Sequence, residues 1–360
     1  MKAVPQKFYS NLKSIVTQPS DAEVNQSRKI MLTISVQGQL ELYRSVQESV
    51  NIFNKVAFLF NIAKIVGRDQ TQQEILEQEI EHFKQGNSSP YIDLLESIAK
   101  TIDNCQCRHL ANVVWALGKI KDKDNRLIQV CKSEILCRDI LSFKFAEICQ
   151  IVNGFANLGI KAPEVFANFQ EAILSQKLSS KELEDQHISG ILMSYAKMNH
   201  GSKELFDYFL REVVSRDMSV NSRALADMVW SFAKKGVDSN NIFSLVEAEV
   251  IRRGASNFEN VDMVKILWSF STGGKGNIQL FNLLDSELIS RGLNNFLDIE
   301  LVEIIWSFAR RNVMNAKIFD VAEREILSRG VSGFRTHELV LILYSFVRAK
   351  RDGVDRKSVV

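Results

Sequence analysis

An aliphatic residue, a Trp, a small residue and a Phe recur in this chain at a nearly constant interval, and that recurrence restricts the possible folds more than any other feature. Taking the residue before each small-aromatic pair as an anchor gives Trp115, Asn153, Met193, Trp230, Trp268, Trp306 and Tyr344, separated by 38, 40, 37, 38, 38 and 38 residues. The surrounding strings include VVWALGK, ILMSYAK, MVWSFAKKG, ILWSFSTGG and IIWSFARRN. Self-similarity at such a period marks stacked supersecondary units, so the 360 residues read as an array and not as two or three globular domains.

Each unit holds two amphipathic segments. In the first, apolar residues stand five, two and one before the anchor and two after it, as in Leu301, Ile304, Ile305 and Phe308. That is the i, i+3, i+4, i+7 stripe of an α-helix. Eight residues before the anchor, Asp185, Ser222, Asn260, Asp298 and Thr336 are expected to cap this helix, with acids such as Asp262, Glu300 and Glu338 in its first turn. The second segment ends on Gly254, Gly292 and Gly330, expected as C-caps, each preceded by arginine: Arg253, Arg291 and Arg329. Arg138 and Arg216 hold matching places, and a role at the helix terminus is expected for all five. With only 17 Gly and 4 Pro the chain favours long helices joined by short turns. The expected fold is therefore all-α: an α-solenoid, a right-handed superhelix of helix-turn-helix repeats of about 38 residues.

Four segments follow. Residues 1–50 are weakly patterned; Lys2, Lys7 and Lys13 with no acid before Asp21 make the start a possible presequence, although arginine is lacking. Residues 51–100 hold a divergent repeat or cap, with VAFLFNIAK and QEILEQEIEHF as its helices. Residues 101–350 hold seven repeats, and 351–360 read as a ragged tail, as a truncation or a scar would leave it.

Two columns of the first helices carry the functional expectation. Three residues before the anchor stand Asn112, Gln150, Gly190, Asp227, Lys265, Glu303 and Leu341. A column that is mostly polar and changes from unit to unit suits a scaffold reading one base per repeat, with Asn112, Gln150, Asp227, Lys265 and Glu303 as base-reading candidates. Four residues after the anchor stand Lys119, Asn157, Lys197, Lys234, Thr272, Arg310 and Arg348; with Lys235 and Arg311 the cations form a rail of phosphate-contact candidates. Between them runs a column of small residues, Ala116, Gly154, Ser194, Ser231, Ser269, Ser307 and Ser345, expected as the floor of a groove. Helix packing would equally call for small residues, and a helix C-terminus for cations. Phe232, Phe270, Phe308 and Phe346 lie on the apolar stripe, so neither the Trp nor the Phe residues are expected to form a stacking platform.

The strings LANVVWALGKI, LADMVWSFAKKGV and LVEIIWSFARRNV, with Phe258, Phe296 and Phe334 leading into the helices, resemble octotricopeptide repeat proteins. They are also similar to the helical repeats of FAST-kinase-like and RAP-domain proteins of algae and apicomplexan parasites. The resemblance covers roughly residues 100 to 350, about 70% of the chain. It implies a mitochondrial or chloroplast protein that binds mRNA or rRNA in transcript stability, processing, translation or ribosome assembly. The proline-rich PPPEW signature of many algal members is absent, and no RAP-like domain follows the seventh unit.

Other classes find less support. GGKG (Gly273 to Gly276) lacks the strand a phosphate loop requires, and His82, His109, His187, His200 and His337 show no ligand spacing, so no enzyme activity, cofactor, metal or small-molecule substrate is expected. The five cysteines, Cys105, Cys107, Cys131, Cys137 and Cys149, read as reduced thiols, mostly small core residues. No apolar run reaches the roughly 18 residues of a membrane span. The competing expectation is an architectural or protein-binding α-solenoid, such as a subunit of an organellar ribosome or another large complex, which the net charge of only +2 favours.

Overall fold

The computed structural model describes residues 21–122, 126–178, 183–237, 241–313 and 317–355, with side chains from residue 25 to 349. All regular structure among them is helical. Lys2, Lys7 and Lys13, with the presequence expectation, lie outside the described residues. Backbone contacts divide the chain into two units, Met1–Cys105 and Gln106–Val360.

The first unit contains α1 (Asp21–Leu32), α2 (Val36–Val46), α3 (Ile52–Val66), α4 (Gln70–Lys84) and α5 (Pro90–Ala99). The divergent unit expected from the sequence corresponds to α3 and α4, whereas α1 and α2 arise in the weakly patterned segment. For α1 the reason is that it is held largely by polar groups. The Asn61 amide donates to the carbonyls of Ile30 (2.8 Å) and Thr33 (3.0 Å), and buried Gln39 donates to the same two at 2.7 and 2.9 Å. Carbonyls at a helix end that are cut off from water need such donors. No helix among the described residues is long and apolar enough to cross a membrane.

The second unit runs α6 (Cys107–Ile120), α7 (Arg126–Cys137), α8 (Phe145–Leu158), α9 (Pro163–Leu174), α10 (Asp185–Lys197), α11 (Lys203–Val214), α12 (Ser222–Lys235), α13 (Ile242–Arg253), α14 (Asn260–Thr272), α15 (Ile278–Arg291), α16 (Asp298–Arg310), α17 (Ile318–Arg329) and α18 (Thr336–Asp355). The even-numbered first helices pack on one another in order, and α7 packs on α9, α9 on α11, α13 on α15 and α15 on α17. This is a helical repeat with two layers. The residues expected as a stripe form its core: Leu301, Ile304, Ile305 and Phe308 are fully buried, as are Met263, Ile266, Leu267 and Phe270. Helix α18 continues to Asp355, so the first five residues expected as tail are helical; the rest lie outside the described residues.

The helix ends differ from the expectation by one residue, and the difference is informative. The N-cap lies nine before the anchor, and the residue six before it folds back: Glu147 accepts from the Lys144 N–H (2.9 Å), Glu300 from Leu297 (2.8 Å) and Glu338 from Arg335 (2.8 Å). This frees the residue at minus eight for partners 31 to 36 residues away, the next unit for Asp185 and the second helix of the same unit for Asn260 and Asp298. Asp185 accepts from the Asn221 N–H (2.9 Å), Asn260 from Arg291 (3.0 Å), and Asp298 pairs with Arg329 (2.7 Å). The glycine caps are as expected, with φ of 81° at Gly254, 80° at Gly292 and 74° at Gly330.

The arginines before those caps are staples that tie the second helix of a unit to the segment leading into its own first helix. Each pairs with a glutamate one turn earlier, as in Arg138–Glu134, Arg253–Glu249 and Arg329–Glu325 at 2.7 to 2.8 Å, while the rest of the guanidinium reaches that segment. Arg216 thus donates to the Leu183 carbonyl (2.8 Å), Arg253 to Val220 (2.7 Å) and Met218 (2.9 Å), and Arg329 to Leu293 (2.8 Å). The planar fork serves the glutamate and the backbone carbonyls at once, which a lysine could not do.

The small column is interior. Ala116, Ser231, Ser269, Ser307 and Ser345 have no exposed surface. Ser194, Ser231, Ser269 and Ser345 turn their hydroxyls back onto carbonyls four residues earlier at 2.6 to 2.7 Å. The expected groove floor is therefore corrected to a helix-helix seam. A Cβ on Gly154 would stand 2.3 Å from the Val114 carbonyl oxygen, and one on Gly118 would stand 2.6 Å from the Gly154 Cα. Both contacts are with backbone, so neither can be relieved by a rotamer change.

Gly154→Ala is accordingly expected to lose about 1–3 kcal/mol of stability by overpacking; thermal unfolding followed by circular dichroism would refute the seam if the midpoint did not fall. Acid sensitivity gives a second check. His109, buried in the first turn of α6, has its pKa lowered to about 4 by desolvation and then by Arg108 and Arg138. The unfolded chain takes up this proton below about 6.5, the folded chain only near 4, so the stabilisation is complete above 6.5 and is lost as pH falls, by roughly 1.4 kcal/mol per unit. His109→Asn should flatten the stability profile between those limits, and an unchanged slope would contradict the assignment.

Candidate functional site

At about 100° per residue, the anchor points roughly 160° away from the core position two residues before it. The residues three before and four after the anchor fall within about 60° of it, so these three columns share the outward face of the first helices. Trp115, Trp230, Trp268 and Trp306 are only partly buried there, and Tyr344 is 42% exposed. The structure thus separates two aromatic sets. Phe232, Phe270 and Phe308 are fully buried as expected, but the tryptophans are surface residues.

The cations four after the anchor lie against these rings. The Lys119 ammonium is 5.8 Å from the Trp115 centroid, the Arg310 guanidinium 5.2 Å from Trp306 and that of Arg348 5.9 Å from Tyr344. Such contacts contribute about 0.5–1 kcal/mol at exposed sites and leave most of the charge available. Neighbouring anchors also meet: Trp230 and Trp268 have centroids 5.9 Å apart at 33°. The sequence contained one usable signal for this face. Asn153 stands in the anchor column, and an amide would not share a column with core residues.

None of the seven phosphate-contact candidates has an ion-pair partner among the described residues, while the five staple arginines, Arg138, Arg216, Arg253, Arg291 and Arg329, all do. Lys119, Lys197, Lys234 and Arg310 are exposed. Lys235 and Arg311 are drawn aside: Lys235 donates to the Asn199 carbonyl and side chain at 2.9 Å, and Arg311 donates to the Gly276 carbonyl at 3.1 Å. Arg348 donates to Asn312 and, at 2.7 Å, to the Tyr344 hydroxyl. The Lys197 pKa is lowered first by desolvation and then by Lys265 and Lys119, with Asp227 opposing.

The base-reading candidates are joined largely to each other. Gln150 donates to Asn112 at 3.2 Å, and Lys265 forms an ion pair with Asp227. Arg223 adds contacts to Asp227 (3.4 Å) and to buried Asp262 (3.5 Å), whose pKa desolvation raises. Gly190 has a packing role, since a Cβ there would stand 2.6 Å from the Cys149 sulfur. Desolvation pushes that thiol up to about 12. Of the cysteines only Cys105 and Cys131 are buried, and Cys137 is exposed, so the expectation that most are core residues is corrected. Of the charged base-reading candidates, Asp227 and Lys265 are paired and Glu303 has no hydrogen bond or ion pair among the described residues; desolvation followed by Glu300 raises its pKa.

No family model matches this chain, and no curated protein sequence matches it.

All four tryptophans of the chain are anchors, so intrinsic tryptophan emission reports on this face alone. Acrylamide is expected to quench the emission of the folded chain measurably. Emission shielded from quencher until unfolding would return these rings to the core.

Proposed function

We propose that this chain is a single-stranded RNA-binding repeat protein of the octotricopeptide kind, acting on organellar mRNA or rRNA. The reading takes the repeat as an α-solenoid, a right-handed superhelix whose inner face is formed by the first helices. The observation that carries it is the outward face of those helices, where cations without carboxylate partners alternate with partly exposed tryptophans. Phosphates need the first and bases stack on the second, and neither requires a particular sequence.

Near neutrality overall does not oppose this reading, because total charge does not fix where charge sits: Glu134, Glu212, Glu249, Glu287 and Glu325 belong to the second-helix layer, each paired with a staple arginine. A protein-binding role draws on a different surface. Val340, Leu343 and Val347 of α18 are 50 to 66% exposed in one stripe, whereas the counterparts of Leu343 in earlier units, such as Val229, Leu267 and Ile305, are fully buried.

The deciding experiment measures affinity for random single-stranded RNA across a salt series, beside a variant with Lys197, Lys234, Arg310 and Arg348 changed to Gln. The intact chain should bind, weakening as salt rises. The variant's slope should be shallower by up to about 3, at roughly 0.7 for each phosphate that is no longer neutralised. Absence of binding at low salt would leave the protein-binding role as the better reading.

A further inference from the structure

We infer that Glu303 reads guanine. This rests on the RNA-binding reading above and concerns one position of that face. Along the variable column, Asn112 and Gln150 bond to each other, the space at Gly190 is filled by the Cys149 sulfur, and Asp227 holds Lys265. Leu341 has nothing to donate. Glu303 sits between Lys265, already committed, and Leu341, so its carboxylate is left as an acceptor without a donor.

A carboxylate accepts at both oxygens and donates at neither. Two neighbouring donors on one planar edge would satisfy it, as an arginine fork does. Of the four bases only guanine offers that on its Watson–Crick edge, through N1–H and the N2 amino group. Adenine presents a donor beside an acceptor, cytosine a donor beside acceptors, and uracil one donor between two carbonyls. Single-stranded RNA exposes this edge to the protein. The surroundings complete a nucleotide site: Trp306 lies one turn further along α16 with its ring partly exposed, and Arg310 covers that ring at 5.2 Å. The base would stack against the indole, its edge would meet Glu303, and its phosphate would approach the guanidinium. Desolvation already disfavours the charge on Glu303, so two donated hydrogen bonds would relieve a cost present in the free protein.

The test uses the full chain and seven-nucleotide RNAs made of uridine with a single guanosine moved through each position, alongside the matching adenosine and cytidine sets. One register of the guanosine set should bind roughly tenfold or more tighter than any adenosine or cytidine oligomer, as expected for one bidentate base contact. Glu303→Gln should abolish that preference, because an amide meets the donor-acceptor edges of adenine and cytosine as well as it meets guanine, while heptauridine binds as before. Heptauridine binding also serves as the control for folding. Guanosine giving no advantage, or an advantage that survives in Glu303→Gln, overturns the role of Glu303 while RNA binding stands. Failure of every oligomer to bind at low salt overturns the RNA-binding reading itself.

Discussion

Close approach of successive first helices is the constraint on which the remaining features depend. At α6 and α8 two glycines face each other with no room for a Cβ, and from α10 onward serine replaces glycine in the seam. Serine is tolerated at Ser194, Ser231, Ser269 and Ser345 because the hydroxyl bonds to its own helix one turn back, whereas the buried Ser307 hydroxyl has no such partner among the described residues. With the helices this close, a side chain three residues before one anchor lies beside its counterpart in the next unit. The Asn112–Gln150 and Asp227–Lys265 pairs, and the contact of Trp230 with Trp268, are consequences of that spacing. A wider seam would leave each of these side chains in solvent.

The charges are divided by layer. At the ends of the second helices each staple arginine is neutralised by a glutamate one turn earlier and also holds the segment leading into its unit's first helix, so the staple adds cohesion without adding net charge. These pairs are partly shielded from water, with side-chain exposures of 14 and 13% for Arg253 and Glu249, which makes them worth more than surface pairs. In the first helices Arg223 and Lys265 are paired with acids, whereas the cations four residues after the anchor have no carboxylate partner among the described residues. A chain of net charge +2 can therefore present a basic face, and total charge is a poor guide to what it binds.

Much of this architecture was legible in the sequence because it repeats. The period, the apolar stripe of the first helices and the glycine caps each follow from local backbone geometry and recur often enough to outweigh chance. Legibility ended where a residue's role depends on a partner far along the chain. Asp185, Asn260 and Asp298 have the composition of N-caps, yet Asp185 binds the start of the next repeat and Asn260 and Asp298 bind arginines of the second helix, with His187 and Glu300 already capping two residues after Asp185 and Asp298. Arg253 and Arg329 resemble helix-terminus cations, but their partners lie about 33 to 36 residues away. Helix α1 went unrecognised because Asn61 and Gln39 hold it through hydrogen bonds that leave no hydrophobic period, whereas the short stripe of α2, Val36, Leu40 and Tyr43, was there to be read. The tryptophans were misplaced for a different reason: apolar character was taken as burial, although their angular position already set them opposite the core.

The variable column shows what variation within a repeat does and does not signify. A polar position that changes from unit to unit is what base-by-base recognition requires, but complementarity between neighbours within the chain produces the same appearance. Asp227 beside Lys265 is a matched pair, as is Asn112 beside Gln150, and Gly190 is small because Cys149 is large. These five residues are explained without a ligand. They also carry a cost for any ligand that would separate them, since breaking the shielded Asp227–Lys265 pair leaves one charge without compensation. Variation alone is therefore weak grounds for recognition. The informative residue is the one that its neighbours do not match, and in this column that residue is Glu303, a partly buried carboxylate with an aliphatic neighbour on one side and a committed lysine on the other.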